Sequence, residues 1–258
     1  MSKERSVIVH YHLFKNAGTS VDRLLQKNFG ERWLGFDGNS AGNIITTAEL
    51  EKKINENPDV HAFSSHQIVP PVPQIDGHVF PIVFLRDPID RIKSAYLFEW
   101  QKQLGLEKPK GSLKEYVYAK FKNRRSSAIE EFQSIRLSNE QRERFSKGAD
   151  DEQILWQACK FIENLSFVGI VDRFDASAEL LQRYLKPEFA GFKSSNIQAN
   201  TLQDTTVSLD QKRTAIKEEL GDELYEMIVN RNYIDHELYQ FGLRHFENLQ
   251  STKLVSNG

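Results

Sequence analysis

The apolar run from Val79 to Leu85 constrains the fold more than any other part of the sequence. A strand that is apolar along its whole length is typical of a parallel sheet covered on both faces, because a strand with one solvent-exposed face alternates apolar and polar residues. Similar β-rich runs at Val7–Tyr11, Val60–Ser64 and Phe167–Val171 predict further strands. Longer stretches with helical spacing separate these runs. The alternation predicts an α/β fold of three layers, with a central parallel sheet flanked by helices.

Helix start signals mark several of the segments between the strands. Thr46 and Glu49 have the spacing of a capping box, and Asp87–Pro88 supplies a helix cap followed by a first-turn proline. Helices are predicted to follow Gly18, Thr46, Asp87, Ser112 and Ser208. Further helices are predicted over Lys120–Lys147, Ile154–Ile162, Ala176–Leu185 and, as the last one, Glu223–Gly242.

The length of 258 residues fits one domain with additions, and the sequence contains no internal repeat. We predict a single domain over residues 1–250, with a helical insertion at about 100–163 and an irregular loop over 187–207. The terminal residues 251–258 are expected to fray, since nothing in their composition holds them to a core.

Charge and cysteine content exclude several classes of protein. The 34 Lys and Arg residues against 36 Asp and Glu give a net charge of −2, which argues against a nucleic-acid partner held by a basic field. Cys159 is the single cysteine, so no intramolecular disulfide can form, and its apolar surroundings predict a buried core thiol. No run reaches the roughly 18 apolar residues of a membrane span, and we expect a cytoplasmic protein without a transmembrane segment. The oligomeric state is left open.

The turn after the first strand predicts a phosphate-binding loop. Its residues are Lys15, Asn16, Ala17, Gly18, Thr19 and Ser20. Small residues let successive N–H groups converge, and the next helix points its positive amino end into the same space. The lysine precedes the glycine, whereas in a Walker A loop it follows the last glycine. An ordinary turn with hydroxyl helix caps fits the same residues.

A second candidate phosphate site follows the strand that ends at Leu85. Arg86 stands at the carboxyl end of this strand, where open α/β sheets place their ligands. Ser94 lies two turns into the next helix, so a guanidinium and a hydroxyl could hold one phosphate together. A salt bridge at the strand end beside a helix cap is the alternative interpretation.

Taken together and in this order, the two segments resemble the sulfotransferases that use 3′-phosphoadenosine 5′-phosphosulfate (PAPS), and in particular the carbohydrate branch that includes the heparan sulfate 2-O-sulfotransferases. The resemblance implies a P-loop-like fold, PAPS as donor, 3′,5′-adenosine bisphosphate (PAP) as product and no metal. It implies that the loop Lys15–Ser20 holds the 5′-phosphosulfate and that Arg86 and Ser94 hold the 3′-phosphate. Phe14 stands where the family has proline, and Asn16–Ala17 replaces Thr-Gly. Alanine disfavours positive φ, so this loop departs from the family at a sensitive place.

The resemblance also implies roles in catalysis. Lys15 would stabilise charge on the leaving oxygen during in-line displacement, and His66 would be the general base for an acceptor hydroxyl on a carbohydrate or another alcohol. His12 and His61 are weaker candidates, and some branches use a carboxylate. The spacing of the histidines along the chain matches no metal-ligand pattern.

Other residues and other functions stay open. Two parts of the irregular loop, Lys193–Asn196 and Asn200–Thr201, would either close over the nucleotide or form a plain surface loop. The pair Arg124–Arg125 would contact either an anionic acceptor or solvent. The alternative functions are a P-loop-type nucleoside or sugar kinase and a nucleotide- or glycan-binding protein without catalysis. Phosphoryl transfer from ATP would identify the first, and PAP binding without transfer the second.

Overall fold

A parallel sheet of five strands forms the centre of the protein, which confirms the predicted α/β class. All four strand pairs are parallel, and the strand order is β2-β3-β1-β4-β5. A computed structural model of the chain describes residues 4–40, 42–103, 105, 109–122, 127–138, 150–194 and 207–252. The strands are β1 (Arg5–Tyr11), β2 (Trp33–Gly35), β3 (Ala62–Ser65), β4 (Gly77–Leu85) and β5 (Gly169–Ile170).

Helices cover both the connections between strands and the carboxyl-terminal third of the chain. The predicted capping box at Thr46 is present, the predicted helix after Ser208 also begins with a capping box, and the Asp87 side chain caps the helix that begins at Pro88. The helices are α1 (Gly18–Phe29), α2 (Thr47–Glu56), α3 (Pro88–Phe98), α4 (Leu113–Lys122), α5 (Phe132–Leu137), α6 (Asp151–Glu163), α7 (Phe174–Leu185), α8 (Leu209–Leu220), α9 (Asp222–Asn230) and α10 (Tyr233–Ser251).

Strand β1 lies between β3 and β4, and its register places three strand ends side by side. Tyr11 pairs with Ser65 on one side and with Val83 on the other. The loops that follow β1, β3 and β4 therefore open at the same edge of the sheet, which is where parallel α/β sheets bind ligands.

Two clusters of buried apolar residues hold these elements together. The larger packs α1, α7 and α10 against the sheet, and β1 is buried on both faces because of this double cover. The second cluster packs the outer side of α3 against α4, α8 and α9. Helix α3 belongs to this second cluster and also contacts α10, so the residues after Leu85 are held on two sides.

The carboxyl-terminal prediction of one helix over Glu223–Gly242 is wrong. The chain forms α9 and α10 instead, with a break at Arg231–Asn232. The fully buried Asn232 donates from Nδ2 to the Ile228 carbonyl at 2.9 Å and to the Ile129 carbonyl at 2.9 Å. These bonds satisfy acceptors at the end of α9 and fasten the break to a distant turn, which helical spacing alone does not reveal.

Other sequence predictions also need correction. The strand predicted at Phe167–Val171 is reduced to the two residues of β5, because it pairs only with Phe84–Leu85 at the end of β4 and continues as a 3₁₀ turn. Strand β2 was not predicted. The Cys159 side chain is half-buried rather than fully buried, and burial raises its pKa to about 11, so it stays a thiol. Of the predicted helix Lys120–Lys147, residues 123–126 and 139–147 lie outside the described residues, and the described part forms the end of α4, a 3₁₀ turn at Ser127–Ile129 and the short helix α5.

Among the helices of the described ranges, none combines the length and the apolar character needed to cross a membrane.

Candidate active site

A cavity of about 240 Å³ opens at the carboxyl ends of β1, β3 and β4. Both predicted phosphate-binding segments and the predicted base contribute to its walls, although they are far apart in the sequence. The predicted site residues that line it are Lys15, Ala17, Gly18, Thr19, Ser20, His66, Arg86 and Ser94, and His12, Phe14, Phe98 and Val171 complete the lining.

The loop backbone has the shape of an anion-binding site. Lys15 has a φ of 67° and Ala17 a φ of 60°, on either side of Asn16. Left-handed residues that alternate with right-handed ones turn successive N–H groups toward one side. Ala17 is the residue that precedes α1, and its methyl side chain cannot cap the helix, so the first N–H groups of α1 face the cavity edge without a side-chain cap. The left-handed conformation at two non-glycine residues costs roughly 1–2 kcal/mol each, which is typical of strain kept at functional sites.

Asn16 holds the loop in place from behind. Its side chain is buried, and Nδ2 donates to the Phe84 carbonyl at 2.7 Å and to Gln133 Oε1 at 2.6 Å. Gln133 in turn accepts from the Arg86 backbone N–H at 2.9 Å and donates to the Arg86 carbonyl at 2.8 Å. The Asn16 side chain therefore does not line the cavity: this predicted binding residue joins the phosphate loop to the end of β4.

The Lys15 ammonium is held over an aromatic ring. Its Nζ lies 4.2 Å from the centre of the Phe98 ring and 5.9 Å from that of Phe14. A cation over an aromatic face is attracted to the ring without giving up its charge. Phe98 is the last residue of α3 and precedes a π-helical turn at Glu99–Gln103, a feature found frequently at functional sites. Phe14 is therefore part of the surroundings of Lys15, at a position where the family that the sequence resembles has proline.

Arg86 is buried and joins the two segments that were predicted to bind phosphate. Its Nε lies 2.7 Å from Asp90 Oδ2, and its Nη1 donates to the Lys15 carbonyl at 2.9 Å. At least these two of its five N–H donors are thus used within the protein, which fixes the orientation of the guanidinium. Ser94 lies two turns along α3 and lines the same cavity, as the eight-residue spacing predicts.

His66 follows β3 and forms a dyad with Asp37, a residue that sequence reasoning missed. The ring Nδ1 lies 3.0 Å from Asp37 Oδ2, and the His66 backbone N–H donates to Asp37 Oδ1 at 3.0 Å. Burial and the neighbouring His12 lower the pKa of His66, although Asp37 opposes this change. At neutral pH the imidazole is therefore largely uncharged, as a general base must be.

A second dyad lies beside the first. His12 Nδ1 lies 2.8 Å from Asp22 Oδ2, and the His12 ring lies against the His66 ring with 3.7 Å between centroids and 30° between the ring planes. His10 Nδ1 lies 2.9 Å from the other Asp22 oxygen. Burial opposes ionisation of Asp22, but the hydrogen bonds from both histidines hold its pKa well below the usual range. Burial also lowers the pKa of His12, although its hydrogen bond with Asp22 opposes this change.

His10, His12 and Asp22 place their ligand atoms within 4.8 Å of one another, close enough in principle for a cation. Sequence spacing did not suggest this grouping because the aspartate comes from the following helix. Each Asp22 oxygen already accepts a hydrogen bond from one of the histidines. A cation would have to displace both bonds, and we assign no metal to the cluster.

Other candidates from the sequence lie elsewhere. His61 precedes β3 at the opposite edge of the sheet and lies 3.2 Å from the Ser6 carbonyl. Lys193 bonds to Asn28 and Ser194 to Gln182, and neither lines the cavity. The residues 124–125, 195–196 and 200–201 lie outside the described ranges.

The structure adds four functional neighbours to the predicted set, namely Asp37, Asp90, Phe98 and Gln133. Only Asp90 had a sequence signal, because Arg86 and Asp90 have the i, i+4 spacing of a helical ion pair. The others reach the site through contacts between distant segments, such as the 117 residues that separate Asn16 from Gln133.

The model of the sulfotransferase family matches residues 1–242, and the chain belongs to this family. An uncharacterized protein from Archaeoglobus fulgidus is 29% identical over 247 residues, which cover 92% of this chain and 95% of that protein.

Proposed function

We propose that the protein transfers a sulfuryl group from PAPS to a hydroxyl group of a carbohydrate acceptor. The observation that carries the proposal is that Lys15, Arg86, Ser94 and His66 line one cavity, although they come from separate loops. A donor with a phosphosulfate at one end and a 3′-phosphate on its ribose needs two anion-binding groups within one molecule's reach. Membership of the sulfotransferase family supports the same reaction type.

The residues present fit such a donor. The uncapped amino end of α1 and the left-handed backbone at Lys15 and Ala17 suit the 5′-phosphosulfate. Arg86 and Ser94 suit the 3′-phosphate, and Asp90 keeps the guanidinium in the orientation seen. A cavity of about 240 Å³ is smaller than the roughly 300–1,000 Å³ of whole-ligand sites, so it suits the reacting end of the donor while the adenosine extends from it.

PAPS, when bound, supplies the sulfuryl group: its sulfur–oxygen bond to the phosphate breaks as the acceptor oxygen bonds to sulfur, and PAP leaves. Lys15 places a positive charge at the oxygen on which negative charge develops. His66, uncharged because burial lowers its pKa, accepts the proton of the acceptor hydroxyl. The family resemblance to carbohydrate sulfotransferases supports a sugar hydroxyl as the acceptor.

We also infer that residues 1–250 form one domain, with the helices at about 100–163 as an insertion and residues 251–258 as a tail. A single family match over residues 1–242 supports this division. Helix α10 runs to Ser251 and packs on α6, which supports a domain that extends to the end of that helix. The cytoplasmic location stays a prediction.

The test is sulfate transfer from radiolabelled PAPS to a panel of polysaccharides and oligosaccharides. The wild type should label at least one acceptor, and Lys15→Ala should lower kcat by at least about 100-fold, the scale expected for loss of charge stabilisation at a leaving oxygen. Lys27→Ala is the matched control, because Lys27 is exposed near the end of α1. Phosphoryl transfer from ATP without PAPS turnover would instead identify a kinase. Tight PAP binding with no transfer would identify a binding protein.

A further inference from the structure

We propose that Asp37 is a positioning residue for sulfuryl transfer, which holds His66 so that Nε2 serves as the proton acceptor for the attacking hydroxyl. The proposal rests on the proposed function in one respect, namely that His66 is the base. It adds a residue that lies outside both predicted motifs and that touches His66 rather than the reacting atoms.

The sheet register brings the two residues level with each other. Strand β2 ends at Gly35, which pairs with Ser64 of β3, and the Phe36 backbone N–H donates to the Ser64 carbonyl at 3.0 Å. Asp37 is two residues beyond Gly35, as His66 is two beyond Ser64, so the register places the two residues level with each other just beyond the paired segment. The position of Asp37 is therefore set by backbone pairing and not by a flexible side chain alone.

Both oxygens of Asp37 act on the same turn. Oδ2 lies 3.0 Å from His66 Nδ1, and Oδ1 accepts from the His66 backbone N–H at 3.0 Å and from Ser65 Oγ at 2.7 Å. Holding the main chain and the ring of one residue from one carboxylate restricts the rotation of the imidazole. The His12 ring, whose Nδ1 lies 2.8 Å from Asp22, packs against the His66 ring with 3.7 Å between centroids and further restricts its rotation.

This contact selects one tautomer of His66. A carboxylate only accepts hydrogen bonds, so Nδ1 carries the proton and the lone pair of the neutral ring is on Nε2. His66 lines the cavity, so Nε2 is the ring nitrogen left to accept a proton from a hydroxyl bound there. An asparagine at position 37 could donate as well as accept, and it would no longer require the Nδ1-protonated form.

The charges that face His66 come from several elements. His12 after β1, Asp22 on α1 and Asp37 after β2 all act on its pKa, and Asp37 also acts on the pKa of Arg136 on α5. Burial and His12 lower the pKa of His66, whereas the Asp37 carboxylate raises it. Loss of the Asp37 charge should therefore lower this pKa further and move the acidic limb of the pH–rate profile to lower pH.

The kinetic test compares Asp37→Asn with the wild type and with Glu31→Gln, a control at an exposed acid in the turn before β2. With radiolabelled PAPS, Asp37→Asn should lower kcat at least about tenfold, because a misoriented base loses part of a contribution of roughly 10²–10⁴. KM for PAPS and the affinity for PAP should stay within about twofold, and the acidic limb should shift downward. A wild-type kcat would overturn the proposal. So would an unmoved acidic limb combined with weaker PAP binding, because that result indicates a purely structural role.

A second measurement needs neither activity nor a folded variant. Long-range ¹H–¹⁵N NMR of the histidine rings in the wild-type protein should show neutral His66 protonated on Nδ1. Protonation on Nε2 would overturn the proposal. If the wild type transfers no sulfate, the proposed function fails, but this spectrum still decides whether Asp37 fixes the ring.

Discussion

The ion pair between Arg86 and Asp90 leads to a prediction that separates stability from donor binding. The two side chains are only 5% and 3% exposed, and Arg86 also donates to the Lys15 carbonyl. In Arg86→Ala the Asp90 carboxylate stays buried without its cation. Removal of one partner of a buried pair costs about 3–5 kcal/mol, mostly because of the charge left behind.

The double variant Arg86→Ala/Asp90→Ala removes that stranded charge, so we expect it to be more stable than Arg86→Ala by about 2 kcal/mol or more. Its affinity for PAP should nevertheless stay reduced by roughly 2–4 kcal/mol, since the contact with the 3′-phosphate is still missing. Urea unfolding at pH 7, with calorimetric titration of PAP for each variant, measures both quantities. The reasoning is refuted if Arg86→Ala unfolds within about 1 kcal/mol of the wild type, or if the double variant is the less stable of the two.

Two further predictions concern the loop backbone. Ala17→Gly should stabilise the protein by about 0.5–1 kcal/mol in urea unfolding, because a φ of 60° costs alanine more than the extra chain entropy costs glycine; a loss of stability would contradict the left-handed assignment. Gly18→Ala should weaken PAP binding at least about tenfold by calorimetry and lower stability by about 1–3 kcal/mol, because the new Cβ would lie 1.9 Å from His12 Cδ2. Gly42→Ala is its control, since a Cβ there meets nothing within 4 Å and should change stability by less than about 0.5 kcal/mol; equal effects of the two substitutions would contradict the His12 contact.

The parts of the fold that the sequence predicts are those governed by local patterns. The continuous apolar run of β4 predicted a buried parallel strand, and the capping residues Thr46 and Ser208 predicted where α2 and α8 begin. The break at Asn232 and the short β5 were not predictable in this way. Both depend on hydrogen bonds or pairing with residues far away in the chain, which override helical and strand propensity.

The residues of the candidate site divide in the same way, into those that a local sequence pattern predicts and those that depend on contacts between distant segments. Lys15, Arg86 and His66 belong to segments with a recognisable order of residues, and the structure places all three around one cavity. Asp37 and Gln133 act from other elements and have no signal of their own. The positive φ at Ala17 contradicts the local preference of alanine. Such conflicts between local preference and structure are expected where a ligand-binding backbone is required.

The most direct test of the central claim is the affinity of the wild-type protein for PAP against that for adenosine 5′-monophosphate and ATP, measured by isothermal titration calorimetry in one buffer at one salt concentration. If the strand-end arginine and the phosphate loop hold one nucleotide, PAP should bind at least about tenfold tighter than either competitor, because a charge-assisted hydrogen bond contributes roughly 1.5–3 kcal/mol. Equal binding of PAP and the monophosphate, or a preference for ATP, would contradict the assignment of a 3′-phosphate site and the donor with it.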